Sequence, residues 1–244
     1  MDLIEKNKVN PNRHPWELSR AKCIFNIIKQ YSIRAIADIG AGDRFFLEKY
    51  YHRFHAQCYA VDSNYKKFFE IINNIKCYNN IDGFPKLNTT GSVVLLMDVL
   101  EHINDDSVFL KKTLEKIPDD GVAFITVPSF QFLFSEHDVF LKHQRRYTRK
   151  RLCTIALSCD CHIESCFYFY FSLFFIRLLS ILSIKRKKER NSGIGYWNFN
   201  ENHIITRIIY VILNIDFSIC HFLSRFHIYL PGLSLLMICK KGAT

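Results

Sequence analysis

The chain lacks an apolar run at its start. Met1 to Asn12 is polar and holds nothing like the hydrophobic stretch of a secretory signal, so the expectation is a cytoplasmic protein. It also lacks an even cysteine count. Nine cysteines are scattered between Cys23 and Cys239, which suits reduced thiols better than a disulfide framework. Only Cys159, Cys161, His162 and Cys166 cluster, and their spacing matches no common structural zinc site, so no metal is expected there. Carboxylates are short relative to cations: 23 Asp and Glu stand against 33 Lys and Arg, giving a net charge of +10. That balance fits nucleic acid, anionic lipid or an acidic substrate as a partner, and equally a solvated basic surface. Hydrophobic residues make up 49% of the chain, which excludes wholesale disorder, and 244 residues suffice for one domain with a full core.

What is present begins at Ala37-Asp38-Ile39-Gly40-Ala41-Gly42-Asp43, after the apolar-rich run Ile33 to Ala37 and before the helix-like Phe45 to Phe54. Strand, glycine turn and helix in that order form a nucleotide-type cradle, because residues without a Cβ let the turn tighten and the backbone approach a ligand. Tyr59-Ala60-Val61-Asp62 reads as a second strand ending in a carboxylate. An acidic residue roughly 20 positions after such a turn suits the two hydroxyls of a ribose. The third glycine of a dinucleotide site is missing: Phe45 occupies that position and would obstruct close pyrophosphate approach. Asp38 is likewise wrong for a phosphate and right for a cationic, amino-acid-bearing cofactor.

The Asp-x-Gly-x-Gly pattern resembles motif I of class I S-adenosylmethionine-dependent methyltransferases. Five further stretches resemble the same family. Val93 to Ile103, with its Asp98-Val-Leu-Glu101-His102 string, looks like the fourth strand and its turn, and Asp120 to Pro128 looks like the fifth strand. Arg13 to Glu17, Ser135 to Asp138 and His143 to Thr148 resemble segments of a bacterial small-molecule subgroup. The resemblance covers residues 13–170 and the closing strand Leu233 to Lys240. Many family members carry another glycine where this chain has Arg44, a departure that bears on cofactor affinity.

The resemblance implies an α/β fold: a Rossmann-like, seven-stranded, mainly parallel sheet with an antiparallel last strand and a helical insert before it. The chain divides into an N-terminal helical segment (1–34), a cofactor-binding core (35–170), an apolar and basic helical insert (171–230) and the closing strand (233–240), all in one domain. Strands are expected at Ala35–Ile39, Gln57–Val61, Ile75–Tyr78, Val93–Met97, Val122–Val127 and Phe167–Tyr170. Helices are expected from Trp16 to Tyr31, Arg44 to Phe54, Lys66 to Asn73, Asp106 to Lys116 and Thr148 to Leu157, the last with Thr148 as N-cap.

The resemblance implies S-adenosylmethionine as cofactor. Asp38, Gly40 and Gly42 would hold its methionine end, Asp62 its ribose, and Asp82 its adenine edge. Asp98 would end the fourth strand beside the reacting methyl group. Methyl transfer from a sulfonium is an in-line displacement that needs mainly alignment and a dry site. An alcohol or phenol acceptor also needs a base. Beyond the fifth strand, His137 beside Asp138 is the first candidate and His143 the second. Arg145, Arg146 and Tyr147 are candidates to clamp an anionic acceptor. Glu101 and His102 have the chemistry to ligate a divalent ion, but such a histidine more often packs beneath the cofactor, so no metal is expected.

The expected activity is O-methylation of a small or lipid-linked metabolite. Phe167 to Ile184 carries one formal charge, Arg177, and is followed by Lys185-Arg186-Lys187-Lys188-Glu189-Arg190. An apolar face beside a polybasic cluster marks interfacial binding, so residues 171–190 are a candidate contact with the inner face of an anionic membrane. Nucleic-acid methylation is the rival enzymatic reading, weakened by the lack of an Asn/Asp-Pro-Pro-Tyr/Phe string. A non-catalytic scaffold with a degenerate cofactor site is the other rival, supported by Arg44.

Overall fold

The computed structural model describes residues 12–184 and 199–242. The basic run Lys185 to Arg190 lies outside the described residues. Strands β1 (Ala35–Ile39), β2 (Gln57–Val61), β3 (Phe69–Ile72), β4 (Ile75–Tyr78), β5 (Ser92–Met97), β6 (Val122–Pro128), β7 (Cys161–Phe169) and β8 (Ser234–Lys241) form one sheet. Its order is β3-β4-β2-β1-β5-β6-β8-β7. β4, β2, β1, β5 and β6 pair in parallel, while β8 runs antiparallel between β6 and β7.

Seven helices accompany the sheet among the described residues: α1 (Pro15–Ile28), α2 (Phe45–Phe54), α3 (Asp106–Leu114), α4 (Glu136–Phe140), α5 (Arg149–Ser158), α6 (Phe171–Ile184) and α7 (Ile204–Ser224). The period-two alternation of β1 sends Ile36 to one face and Ala35, Ala37 and Ile39 to the other. Ile36 meets the face covered by α1, α2 and α7 through Ile24, Ile28, Leu47 and Phe217. The opposite face is covered by α3 and α5 through Leu110, Leu114, Leu152 and Ile155. Each such side chain contributes roughly 1.5–3 kcal/mol when fully buried. Burial on both faces explains why the central strands read as continuous apolar runs.

The sheet has one strand beyond the seven expected. Lys66 to Asn73 reads as a helix from the sequence, but Phe69–Ile72 is an antiparallel edge strand against β4. The reason is the Asn73-Asn74 pair, with φ of 50° and 62°. Two successive left-handed residues make a tight hairpin turn, and asparagine tolerates that backbone better than most residues. The other expected elements are present with shifts of up to three residues at their ends, except the strand expected at Phe167–Tyr170, which starts six residues earlier as β7 (Cys161–Phe169). Thr148 caps α5 by accepting the Arg151 N–H at 3.3 Å.

β1 lies between β2 and β5, where the strand order changes direction. In an open parallel sheet this switch point leaves a crevice beyond the strand C-termini, the usual ligand position. α7 packs against α1, β7 and α6. Asp216 of α7 caps α6 by accepting the Phe171 and Ser172 N–H groups at 2.9 and 2.8 Å.

Candidate functional site

The turn from β1 into α2 is held by the neighbouring strand. Gly40 N–H and Ala41 N–H both donate to Val61 O, at 2.7 and 3.1 Å. Gly42 N–H donates to the Asp62 Oδ2 at 2.7 Å, and Asn64 N–H to Oδ1 at 2.9 Å. Asp62 therefore braces the glycine turn and sits at the C-terminal end of β2. Gly40 has φ 76°, and a Cβ there would lie 2.5 Å from Val99 Cγ2. Both the backbone angle and the space demand glycine. Gly42 has φ 53°, and Arg44 also adopts the left-handed region, at φ 63°. Arg44 thus keeps the backbone that a glycine would favour. Its guanidinium pairs with Glu48 at 3.2 Å and lies over the Tyr65 ring.

Asp38 is 2% exposed, and its Oδ1 has no hydrogen-bond partner. Burial pushes its carboxyl up to about 7, aided by the nearby Asp62 and Asp43 and opposed by Arg20. The small cleft it lines also includes Glu17, Arg20, Gly40, Ala41, Asp43, Phe45 and Met97. Asp98 follows β5 in left-handed backbone, φ 58°, accepts from Thr126 Oγ1 at 3.0 Å, and is ion-paired with Arg20.

α1 and the residues just before it cover this cleft with charged groups to which the sequence patterns assigned no role. Arg13 pairs with Asp43 and stacks over Phe45 at 3.8 Å. Arg20 is almost fully buried and stacks on Trp16 at 4.7 Å while holding Asp98. The available signal was the pair of charges at positions 17 and 20, which helical spacing places on one face of α1, with Arg13 just before its N-cap.

Asp82 takes no part in this cleft. Its exposed side chain pairs with Lys112 of α3. Asn79 and Asn80 are the residues that leave the end of β4, with Asn80 Oδ1 accepting the Gly83 N–H at 2.7 Å.

The segment after β6 folds around Asp138, not around a His137–Asp138 dyad. Asp138 is fully buried and receives Arg146 at both oxygens, Nε to Oδ1 at 2.8 Å and Nη2 to Oδ2 at 3.0 Å. His143 Nδ1 is 3.0 Å from the same Oδ1, and Ser135 N–H donates to Oδ2 at 3.0 Å. Burial works against the carboxylate, but the bonds from His143 and Arg146 outweigh it and hold the group well below the usual carboxylate range. His137 is half-buried with its Nδ1 unpartnered. Burial, reinforced by Arg177, lowers its imidazole to about 4, so the ring is neutral at pH 7.

The expected acceptor clamp is committed internally. Arg146 is held by Asp138. Tyr147 is fully buried, and its hydroxyl bonds to Leu100 O at 3.0 Å and Asp106 Oδ2 at 2.8 Å. Arg145 bonds to the same Asp106 at 3.0 Å and to Asn104 O at 2.9 Å. Glu101 is fully buried, and neither carboxylate oxygen has a hydrogen-bond partner. Burial pushes its carboxyl up to about 8.

No protein-family model matches the chain, and no curated protein resembles it in sequence. Solved structures do resemble it in fold. A SAM-dependent methyltransferase from Archaeoglobus fulgidus is 19% identical, with a TM-score of 0.52 over 93% of this chain and 94% of that one. The plantazolicin methyltransferase BpumL, in complex with a pentazolic desmethylPZN analog and SAH, is 13% identical, with a TM-score of 0.57 over 98% and 89%. The chain has the fold of the class I S-adenosylmethionine-dependent methyltransferases.

Proposed function

We propose that the chain transfers a methyl group from S-adenosylmethionine to an oxygen of a small or lipid-linked acceptor. The observation that carries this reading is Asp38. A buried carboxylate with an unpartnered oxygen, beneath a glycine turn at the switch point, calls for a cation. The ammonium of the cofactor's methionine end supplies one. Asp62 keeps acceptor capacity for ribose hydroxyls while bracing Gly42. When bound, the cofactor supplies an electrophilic methyl on a sulfonium. The protein's task is then to align the acceptor and exclude water, and α1 covers the cleft accordingly.

An oxygen acceptor must lose its proton. His137 is neutral and has a free ring nitrogen, so it can take one, but its low pKa makes it a weak base. His143 is oriented by Asp138 and turns its other nitrogen toward Glu101.

A lipid-linked acceptor is favoured by the outer face of α7. Ile204, Ile208, Val211, Ile212, Ile215, Ile219 and Phe222 are each half-exposed or more and form one stripe at helical spacing. Arg207 and Arg225 stand near its ends, and Lys22 of α1 lies beside it. The one carboxylate on the helix, Asp216, is turned inward as the cap of α6. α7 is long and apolar enough to cross a membrane. Its Leu213, Phe217 and Cys220, however, belong to the sheet's core, and spanning would pull them out. The arrangement fits a helix lying in the surface of an anionic bilayer.

The test is incubation with S-[methyl-³H]-adenosylmethionine and, separately, a lipid extract and an aqueous metabolite extract. Label entering a lipid product, with the methyl on oxygen by mass spectrometry, is the expected result. Label on nitrogen would correct the acceptor atom, and no incorporation by cofactor-bound protein would overturn the reading.

A further inference from the structure

We propose that Glu101, His102 and His143 form a binding site for one divalent transition-metal ion. One ligand atom from each residue lies within 4.8 Å of the other two. An ion with bonds of about 2.0–2.2 Å keeps its ligands roughly 3–4 Å apart, so side-chain rotations of about 1 Å close the set.

The second observation is the state of Glu101. Its carboxyl group is wholly buried, both oxygens lack a hydrogen-bond donor, and His143 Nε2 lies 4.0 Å from Oε1. The cations in the neighbourhood are otherwise committed: Arg20 is paired with Asp98 and Arg146 with Asp138. A carboxylate so placed is costly without a cation.

The third is the arrangement behind the histidine. Asp138 lies 3.0 Å from His143 Nδ1, which fixes the ring and leaves Nε2 as the free lone pair facing Glu101. A carboxylate behind a ligating imidazole is the common way of orienting it and raising its basicity. The two segments are also tied together. Gln144 N–H donates to Glu101 O at 2.8 Å, and Gln144 Nε2 to His102 O at 2.8 Å. The His102 and His143 rings meet edge to face at 4.7 Å.

Two imidazoles and one carboxylate select zinc, cobalt, iron or manganese over magnesium and calcium, which prefer all-oxygen sites. Three protein ligands leave coordination positions for a further oxygen. The ion site stands independently of methyl transfer. Its use to bind an acceptor hydroxyl and lower its pKa rests on the proposed function, and would offset the weakness of His137 as a base.

The full chain, stripped of metal by a chelator under reducing conditions, should be titrated with Co²⁺ and then Zn²⁺. The expected result is one equivalent of Co²⁺ with a ligand-field spectrum free of thiolate charge transfer, displaced by Zn²⁺. Glu101→Gln and His102→Ala should each weaken binding about tenfold or more. Circular dichroism reports that both variants are folded, and His102→Ala removes a half-exposed ring that touches His143 while leaving the Asp138–Arg146 pair in place. Absence of binding, a thiolate charge-transfer band placing the ion on cysteines, or unchanged affinity in both variants would overturn the proposal.

Discussion

Arg146 meets Asp138 as a two-point ion pair in the protein interior, with both N–H···O distances at or below 3.0 Å. Asp138 also holds His143 and the backbone of Ser135, so one carboxylate sets the conformation of the whole segment after β6.

Asp138→Asn keeps the shape but cannot satisfy Arg146 as an anion. Removing one partner of a buried pair costs about 3–5 kcal/mol. Urea unfolding should show a loss of that size, whereas Glu136→Gln, at an exposed position on the same short helix, should change stability by less than about 0.5 kcal/mol. Equal stability of Asp138→Asn and wild type would show that the pair does not organise the segment.

Gly40→Ala introduces a methyl group 2.5 Å from Val99 Cγ2 on a backbone with φ 76°. Strain and overlap together should destabilise the protein by about 1–3 kcal/mol and abolish cofactor binding. Adding Val99→Ala relieves the overlap but not the backbone strain. The double variant should therefore recover stability in part, as read by thermal melting. Full recovery would mean that φ is not a constraint.

Asp38 links pH to both stability and binding. Its carboxyl titrates near 7 in the folded protein against 3.8 for the free side chain. Between those values the folded chain holds a proton that the unfolded chain has released. Stability is therefore lost as pH rises from 4 to 7, by up to about 4 kcal/mol. Asp38→Asn should make the ligand-free protein more stable at pH 8 and nearly unchanged at pH 4. In the wild type, S-adenosylhomocysteine affinity should fall as pH drops below 7, because the ammonium needs the carboxylate ionised. Denaturant titrations at the two pH values test the first claim, and destabilisation of Asp38→Asn at pH 8 would contradict it.

The α7 stripe predicts flotation with vesicles of mixed neutral and anionic phospholipid. Ile212 and Ile219 are 51% and 50% exposed, so Ile212→Glu with Ile219→Glu should leave the fold intact and abolish flotation. A wild-type protein that stays with the dense fraction would remove the membrane from the account. Self-association abolished by the same substitutions would assign the stripe to a second copy of the chain.

The sheet's centre was legible in the sequence because its signals are local. Ala35–Ile39 is a short apolar run that stops at Gly40, and Gln57–Val61 stops at Asp62. β3 was missed because two asparagines, not a glycine, make its hairpin. The glycine turn of the candidate site was readable for the same reason: Asp38, Gly40 and Gly42 sit within one turn. The α1 contribution was not, since Arg20 meets Asp98 across 78 residues and no local pattern encodes such a pairing. The His137–Asp138 reading failed on geometry: the α4 helix directs the two neighbouring side chains apart, and Asp138 finds His143 and Arg146 instead.

The central claim is a site for S-adenosylmethionine at the β1–β5 switch point, and calorimetric titration of S-adenosylhomocysteine into the purified protein tests it most directly. The account predicts one site of micromolar affinity, at least about tenfold weaker in Asp62→Ala, which removes the carboxylate that braces Gly42. Folded wild-type protein that takes up no ligand, or binds it equally well without the Asp62 carboxylate, would contradict it.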